Sequence, residues 1–389
     1  MKKLTLSTVF LTAVVCFWAL PYIGEAATLN VPADYPKIYQ AIDAAEEGDT
    51  IFIANGVYVP SSSENPEEGE PHIYLENKSN LTFRGESSED TILNLSIHVF
   101  DSDNIVIENM KFDNIDLSFN YSSEMEVRNS KFVNVVGTGV VALGVSNARI
   151  TNNHFEVHNG SCSVQKGFEF SGTSGSISGN KLIILGSNNC PNSVGILSNS
   201  NTVNEQVIIR NNLITNFGNG IQAEGQLFRG TIVNNTITGL TNTQGKAIST
   251  ALYYTPLSVS IRNNVVFNNR GRGIVTKLTT DRDQNVTVSY NDVYLNDSGD
   301  YQTGRATLAN NISEDPLFVD AANGDFHEQN FISPVIDQGD PADPYSLEPN
   351  YNGGRVNIGA YGNTIEAAKT TKPPTKGSKM LLMEQYGGR

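Results

Sequence analysis

Three stretches of the sequence decide the fold: Ile209-Arg-Asn-Asn-Leu-Ile214, Ile232-Val-Asn-Asn-Thr-Ile237 and Ile261-Arg-Asn-Asn-Val-Val266. In each of them a hydrophobic residue, a variable residue and two asparagines lead to a second hydrophobic residue. The same pattern, with Gly or Tyr in place of the first asparagine in some copies, recurs at marker positions 85, 109, 129, 152, 179, 211, 234, 263, 290 and 310. The mean spacing of about 25 residues is typical of a solenoid built from one repeated unit.

A second pattern repeats in step with the first one. In this pattern a small residue, usually Gly, precedes a hydrophobic residue, and a segment in which inward and outward side chains alternate follows. The hydrophobic residues are at positions 140, 168, 196, 221, 248 and 274. Two short alternating segments in each period, separated by Gly and Asn turns, indicate strands rather than helices. A leucine-rich repeat has a similar period, but its leucine scaffold is absent from the sequence. We therefore predict an all-β fold, a single-stranded right-handed parallel β-helix of about ten coils, in which the repeated asparagines stack as an amide ladder.

The ends of the chain differ from its repeats. Residues 1–26 contain Lys2 and Lys3, a long apolar run and a small-residue cleavage site, which indicate a signal peptide for export to the extracellular space or to a periplasm. No later stretch approaches the roughly 20 apolar residues of a membrane span, so we expect none. An amphipathic pattern over 34–47 predicts a helix that covers the open end of the first coil. We expect an N-terminal cap and first coil at 27–80, coils at 81–312, a C-terminal cap module at 313–368 and a flexible tail at 369–389.

The charge of the chain argues against one class of partner. The chain has 26 Lys and Arg residues against 41 Asp and Glu residues, a formal net charge of −15. A nucleic-acid-binding protein needs a basic face for the phosphates, so we expect no nucleic acid as a partner. Between residues 127 and 312, however, Lys and Arg outnumber Asp and Glu. The field of the coils therefore suits an acidic glycan.

Segments at both ends of the repeats resemble those of a known group of secreted proteins. They are residues 39–58, Tyr-Gln-Ala-Ile-Asp-Ala-Ala-Glu-Glu-Gly-Asp-Thr-Ile-Phe-Ile-Ala-Asn-Gly-Val-Tyr, and the motifs Asp315-Pro-Leu-Phe-Val319, Ser333-Pro-Val-Ile-Asp337 and Asn357-Ile-Gly-Ala-Tyr361. With the coils, they resemble the pectate-lyase-like superfamily of right-handed β-helix proteins. The resemblance implies the fold and export. It does not select an activity, because the superfamily includes lyases, hydrolases, esterases, epimerases and non-catalytic surface proteins. The sequence contains no paired-Asp hydrolase pattern, no Arg-x-Pro-x-x-Arg and no Asp-Pro-His-Asp.

The resemblance also implies a substrate groove along one outer strand face, which we assign to the second pattern. Alternation then decides which side chains point outward. β-Elimination on a uronic acid polymer needs a base, a neutralised carboxylate and a proton for the leaving oxygen. Lys and Arg suit the first two tasks, whereas Glu and Asn suit a Ca²⁺ ion. The candidates are Lys246, Arg272 and Lys277 for catalysis, Gln222, Arg229 and Arg270 for substrate binding, and Glu169, Asn199 and Glu224 for Ca²⁺.

Two functions are compatible with the sequence. The leading hypothesis is a lyase-like enzyme that cleaves an acidic polysaccharide by β-elimination, with Ca²⁺ as its cofactor. The alternative is a non-catalytic cell-surface or carbohydrate-binding β-helix, for which the coils need only be stable. The candidate residues are equally compatible with the solvated surface of a solenoid, because their spacing is not diagnostic. In both cases we expect a monomer whose partner is a polysaccharide.

The two cysteines that follow the signal peptide test the register of the coils. Cys162 lies six residues before position 168, and Cys190 lies six residues before position 196. The two should therefore occupy the same place on adjacent coils, about 4.8 Å apart, which fits the Cα separation of roughly 4.4–6.8 Å in a disulfide. We predict that mass spectrometry of unreduced peptides finds Cys162 linked to Cys190. Alkylation of both thiols without prior reduction would contradict the register.

Overall fold

The structure is a computed structural model that describes residues 25–59, 72–158, 164–186, 190–199, 206–225, 229–252, 258–278 and 285–370. Within these residues the chain coils through three long parallel sheets, with twelve strands in the first sheet and ten in each of the other two. A short helix, Ile38–Ala44, lies near the N-terminus. A small antiparallel pair, Phe318–Asp320 with Asp325–Glu328, follows the coils, and the 3-10 turn Ala321–Asn323 connects its strands.

Within each sheet the strands follow one another in chain order from coil to coil. The first sheet contains Thr28–Val31, Thr50–Ile53, Ser79–Gly85, Asp103–Glu108, Glu126–Arg128, Ala148–Thr151, Gly175–Ser178, Gln206–Arg210, Arg229–Val233, Ser258–Arg262, Asn285–Ser289 and Thr307–Ala309. The second sheet contains Gly56–Tyr58, Thr91–Leu93, Lys111–Asp113, Lys131–Val133, His154–Val157, Lys181–Ile184, Leu213–Thr215, Thr236–Thr238, Val265–Phe267 and Asp292–Tyr294. The third sheet contains His72–Glu76, Ser96–Phe100, Leu117–Asn120, Gly137–Leu143, Val164–Ser171, Val194–Asn199, Asn219–Gly225, Lys246–Leu252, Arg272–Leu278 and Tyr301–Gln302.

Each coil contributes one strand to each sheet in a fixed order. One coil, for example, passes through Ser258–Arg262 in the first sheet, Val265–Phe267 in the second and Arg272–Leu278 in the third. Successive coils pair in parallel at equal repeat positions, so that Ile261 lies level with Val288. Parallel crossovers of this kind are right-handed in nearly all proteins. The predicted all-β parallel β-helix is confirmed.

The N-terminal helix is present but shorter than the predicted 34–47. It spans Ile38–Ala44, and the preceding Lys37 is extended. Asp34 does not cap this helix, because its carboxylate accepts hydrogen bonds from the backbone and side-chain amides of Asn30, at 3.1 and 2.6 Å. Engagement of Asp34 in this earlier turn explains the later start of the helix. The buried residues of the helix are Ile38, Ala41 and Ile42.

The two consecutive asparagines of the repeat have separate roles. The first one turns the chain from the first sheet to the second, and its backbone adopts the left-handed conformation. Its φ lies between 50° and 56° at Asn109, Asn129, Asn152, Asn211, Asn234, Asn263 and Asn310. Asn tolerates this conformation better than most other residues, and Gly179 takes the same position with a φ of 67°. The turn therefore explains why Asn or Gly marks each period.

The second asparagine points into the coil and forms the predicted ladder. Its members are Asn153, Asn180, Asn212, Asn235, Asn264, Asn291 and Asn311. Each side-chain nitrogen donates to the side-chain oxygen of the next member, at 2.9–3.1 Å. Asn235 also donates to the carbonyl of Ile209 and accepts from the backbone N–H of Asn212, both at 3.0 Å. The ladder thus pairs buried backbone groups that the turn would otherwise leave without partners.

The C-terminal segment, from residue 313 onward, lies against the side of the coils. Marker asparagines of two different coils hold it there. The side chain of Asn211 donates to the carbonyl of Ala360 at 3.0 Å, and that of Asn234 donates to the carbonyl of Asn357 at 2.8 Å. The predicted cap module therefore runs along several coils, rather than lying at one end only.

Apolar residues on the outer face of the second sheet explain this placement. Leu213 and Val265 point away from the interior of the coils and would be exposed without a cover. Phe326 packs against Leu213, and Val335 and Ile358 pack against Val265. All five side chains are buried, so the segment covers this face by the ordinary hydrophobic effect.

Two carboxyl groups are buried beneath or within this segment. Asp292 is 1% exposed and Glu328 is 2% exposed. Burial raises the pKa of Asp292 to about 7 and that of Glu328 to about 8. One oxygen of Asp292 accepts from the backbone N–H of Glu314 at 3.0 Å, whereas neither oxygen of Glu328 has a partner within the described ranges. Both carboxyl groups are therefore protonated at mildly acidic pH. Their ionisation at higher pH destabilises the folded protein, because a buried charge is costly.

The ladder generates a prediction about stability. Replacement of Asn235 by Ala removes the acceptor of the buried Asn212 backbone N–H and a donor to the Ile209 carbonyl. We therefore expect the free energy of unfolding, measured in urea, to fall by about 2–4 kcal/mol. Asn192, which is exposed in a turn, is the matched control, and Asn192→Ala should change the same free energy by less than about 0.5 kcal/mol. Equal effects of the two substitutions would contradict a structural role for the ladder.

Glu328 generates a prediction about pH. Folding raises its pKa from 4.5 to about 8, so its contribution to stability is complete below pH 4.5 and is lost as the pH rises to about 8. Glu328→Gln removes this loss, and we expect its thermal midpoint to exceed that of the parent by roughly 2–5 °C at pH 9 but to differ little at pH 5. The exposed Glu47 provides the control Glu47→Gln. A difference that does not depend on pH would show that Glu328 ionises freely in the folded protein.

Candidate functional site

The outer face of the third sheet presents two rows of side chains above the coils. The first row contains Glu169, Leu197, Gln222, Ser249, Val275 and Gln302. The second row contains Ser171, Asn199, Glu224, Ala251 and Lys277. Neighbours within a row are about 4.8 Å apart. Ile221 is fully buried, whereas Gln222 and Glu224 are half-buried, as alternation predicts.

A cleft of about 350 Å³ opens in the C-terminal part of this face. Its polar lining comes from four successive strands and includes Glu224, Lys246, Ser249, Lys277 and Gln302. Three residues predicted from the sequence, Lys246, Lys277 and Glu224, are thus brought into one concave site. In the cleft, charged groups from three successive strands of the third sheet line one concave surface.

The charged side chains of the cleft do not form ion pairs or hydrogen bonds with one another. Among the described residues, the side chains of Lys246, Lys277 and Glu224 form no ion pair and no hydrogen bond. The hydroxyl of Ser249 is also without a partner there, although the residue is only 3% exposed. A buried polar group without a partner costs free energy, and a ligand with hydroxyl groups would remove that cost. The arrangement therefore suits a polar, negatively charged ligand.

Arg272 and Glu169 do not belong to this cleft. Arg272 lies level with Lys246 in the adjacent strand, but it is not part of the cleft lining. Glu169, predicted as a Ca²⁺ ligand, forms an ion pair with Lys166 at 2.8 Å. This local ion pair engages the Glu169 carboxylate with a cation of its own strand, away from the lysines of the cleft.

The other predicted residues are spread over the sheet and its edges. Asn199 and Glu224 lie level in adjacent strands, whereas Gln222 belongs to the other row. Arg229 begins a strand of the first sheet, and Arg270 lies in the turn between the second and third sheets. The two arginines therefore flank opposite edges of the third sheet and do not converge. In the described part of the chain, no cluster of three or more His, Cys, Asp or Glu side chains is arranged to hold a metal ion.

The sequence did not single out two further groups of the cleft. Ser249 is outward-facing by alternation, but its burial arises from the walls of the cleft, which alternation within a strand does not describe. Gln302 lies in the short strand Tyr301–Gln302, where the second repeat pattern is absent. Its pairing with Val275 gives it a place in the first row. Gln302 could have been found by extending the coils for one strand beyond the last clear repeat.

Two other clefts, of about 210 and 440 Å³, lie where the first sheet meets the C-terminal segment. Arg262 and Asp343 line both of them. The Arg262 guanidinium donates two hydrogen bonds to the Asp343 carboxylate, at 2.7 and 2.9 Å. The shared pair is therefore neutral as a whole, and Arg210 adds a cation to the smaller cleft and Asp340 a carboxylate to the larger one.

Several sequence predictions fall outside the described residues. They concern most of the signal peptide, Cys162 and the tail beyond residue 370. Cys190 is described and is 2% exposed. Export and the Cys162–Cys190 disulfide therefore stay predictions. In the part of the chain that is described, no helix is long and apolar enough to span a membrane.

The fold is similar to those of several solved structures, at low sequence identity. The pectate lyase Pel9A is 15% identical, with a TM-score of 0.45 over 83% of this chain and 90% of that one. A PL6-family polysaccharide lyase from Pseudopedobacter saltans is 12% identical, with a TM-score of 0.38 over 79% of this chain and 97% of that one. The A-module of the mannuronan C-5 epimerase AlgE4 from Azotobacter vinelandii is 13% identical, with a TM-score of 0.23 over 70% of this chain and 93% of that one.

A family comparison agrees with the architecture. Residues 45–182 match the family described as right-handed β-helix region. No curated protein matches the sequence. The three sheets continue beyond the matched residues to the strand Thr307–Ala309. The β-helix fold that the resemblance implied is confirmed, and the chain is a right-handed parallel β-helix protein.

Proposed function

We propose that the protein binds an acidic polysaccharide along the outer face of its third sheet and cleaves it by β-elimination in the cleft that contains Lys246 and Lys277. The observation that carries the proposal is this pair of lysines, which line one cleft and have no acidic partner among the described residues. On the same face, Lys166 is by contrast paired with Glu169. Two unpaired cations in a concave site favour an anionic ligand.

The shape and chemistry of the face support a polymer rather than a small anion. Ten strands stack along the third sheet in the described residues, at about 4.8 Å per strand. A sugar ring in an extended polysaccharide advances by about the same distance. The rows include hydroxyl, amide and apolar side chains, such as Ser171, Asn199 and Leu197, which suit the hydroxyl groups and the C–H faces of sugars. A chain that follows the coil axis would meet each strand in turn.

The chemistry that we propose needs two lysines with different tasks. Lys277 is exposed at the rim and, as the ammonium, would bind the uronate carboxylate, which stabilises the charge that develops when C5 loses its proton. Lys246 is half-buried and, as the neutral amine, would accept that proton as the base and become the ammonium. The electron pair of the C5–H bond then forms the C4–C5 double bond, the C4–O bond breaks, and the leaving oxygen takes a proton from water. The products are a shortened chain and an unsaturated uronate.

Ca²⁺ is the cofactor that we include in the proposal. The side-chain oxygens of Asn199 and Glu224, which lie level in adjacent strands, belong to the ligand types that Ca²⁺ prefers. When bound there, the ion would supply additional positive charge for the uronate carboxylate. Glu169 is not part of this pair, because Lys166 engages it.

We also propose that the protein is exported. Residues 1–26 have the charged start, the apolar run and the small-residue site of a signal peptide. Export places the protein where polysaccharides of cell surfaces and matrices occur, and where the proposed Cys162–Cys190 disulfide is stable.

A second candidate function is binding of the polysaccharide without cleavage. The observation in its favour is that Arg272 lies outside the cleft lining, which leaves the site with two basic residues instead of the predicted three. Binding requires only that Lys246 and Lys277 attract the carboxylates. Cleavage requires in addition that one of them accepts a proton.

A screen of pectate, alginate and chondroitin with Ca²⁺, read by the absorbance of the unsaturated product, tests the proposal. We expect one of these acidic glycans to be cleaved, and Lys246→Met and Lys277→Met each to lower the rate by about 100-fold or more. Lys166→Met is the matched control, because Lys166 lies on the same sheet but is paired with Glu169. Its rate should stay within about twofold of the parent.

The same variants separate the two functions. If no glycan is cleaved, but one binds and loses affinity in Lys277→Met, the protein is a binding module and the lyase assignment is wrong. If the lysine variants cleave and bind as the parent does, the cleft is not the functional site.

A further inference from the structure

A cluster of rings lies at the opposite end of the same outer face. Tyr74 comes from the strand His72–Glu76, and His98 and Phe100 come from Ser96–Phe100. The ring centroid of Tyr74 is 5.4 Å from that of His98 and 6.3 Å from that of Phe100, with interplanar angles of 32° and 23°. We propose that this ring cluster is a second contact site for the polysaccharide, at which a sugar ring stacks on Tyr74. The inference rests on the function proposed above.

The ring cluster is partly open to solvent. Tyr74 is 41% exposed, and it belongs to the row that continues through His98. Phe100 belongs to the other row, in which Asn120 and then the exposed Leu143 follow it. Contiguous apolar surface on an otherwise polar protein face marks a binding site more often than it marks a structural need.

The ring cluster is also held in place before any ligand arrives. The Nδ1 atom of His98 is hydrogen-bonded to the hydroxyl of Ser118 at 2.6 Å, and its Nε2 atom to Nδ1 of His72 at 3.1 Å. Both nitrogens of the imidazole are thus engaged, and Tyr74 packs against a fixed ring. A site that is already ordered loses little conformational entropy when it binds.

The composition of the cluster points to a sugar as the occupant. A pyranose ring has an apolar face of C–H groups and a rim of hydroxyl groups. Rings with polar neighbours, here Ser118 and Asn120, match both parts. None of Tyr74, His98 and Phe100 carries a fixed positive charge, so the cluster would contact a sugar ring rather than a carboxylate. Because it shares a face with the lysine cleft, one polysaccharide chain can reach both.

The distance between the two sites predicts how long that chain must be. Tyr74 and Lys246 are seven strands apart in the third sheet, and Phe100 and Glu224 are five strands apart. At about 4.8 Å per strand these separations are about 34 and 24 Å. One sugar ring covers about one strand, so about six sugars are needed to bridge the sites. Longer chains should therefore gain affinity from Tyr74, and short ones should not.

Calorimetric titration of the full chain with oligogalacturonate and oligoalginate of about four and about twelve residues tests this inference. We expect Tyr74→Ala to weaken binding of the longer oligosaccharide by about fivefold and to leave the shorter one unchanged within about twofold. Tyr74→Phe keeps the ring and should retain the affinity of the parent. Tyr351, which is 43% exposed in the C-terminal segment, supplies the control Tyr351→Ala. Thermal unfolding checks that every variant is folded.

The outcomes separate the ring cluster from the cleft. If Lys277→Met weakens both lengths while Tyr74→Ala weakens neither, or both equally, the ring cluster is only structural and the proposed function stands. If Lys277→Met binds both lengths as the parent does, the proposed function is wrong, and a length-dependent loss in Tyr74→Ala would still support the ring cluster. Absence of binding at both lengths would overturn both proposals.

Discussion

The structure depends on the column of buried asparagine side chains at the turn from the first sheet to the second. In each coil the chain changes direction inside the protein, where unpaired backbone groups are costly. Asn235 and its equivalents pair those groups and bond to the next coil in the same step. The column therefore joins coils at a constant spacing and a constant register. The rows that place Glu224 and Lys277 on one outer face follow from that register.

The three outer faces differ in how their side chains are satisfied. On the first sheet, Glu108 accepts from both Arg84 and Arg128, at 2.5 and 2.6 Å. Part of the second sheet is covered by the C-terminal segment, which buries Val265. Among the described residues, the third sheet retains charges without ion-pair partners at one end, Lys277 among them, and the exposed ring of Tyr74 at the other. These groups remain available to a ligand on the third face.

Features that belong to the repeat could be predicted from the sequence, because equal positions on successive coils face the same environment. The inward Ile221 implied that Gln222 and Glu224 point outward, and the structure confirms it. The separation of Arg272 from the cleft could not be predicted, because alternation does not define the walls of a cleft. The course of the C-terminal segment along the coils could not be predicted from the sequence either. Asn211, which binds the segment, occupies the same position of the repeat as Asn109, which lies on an earlier coil.

The lateral bonds of the C-terminal segment alter the way the coils can come apart. In a simple solenoid each coil contacts only its neighbours, so the ends can fray one coil at a time. Here Asn211 and Asn234 bond to residues 149 and 123 positions away in the chain. The segment acts as a strap across coils that are not consecutive with it. Fraying from the C-terminal end must first release the strap, so the strapped coils separate together, and stepwise unravelling is left to the coils nearer the N-terminus.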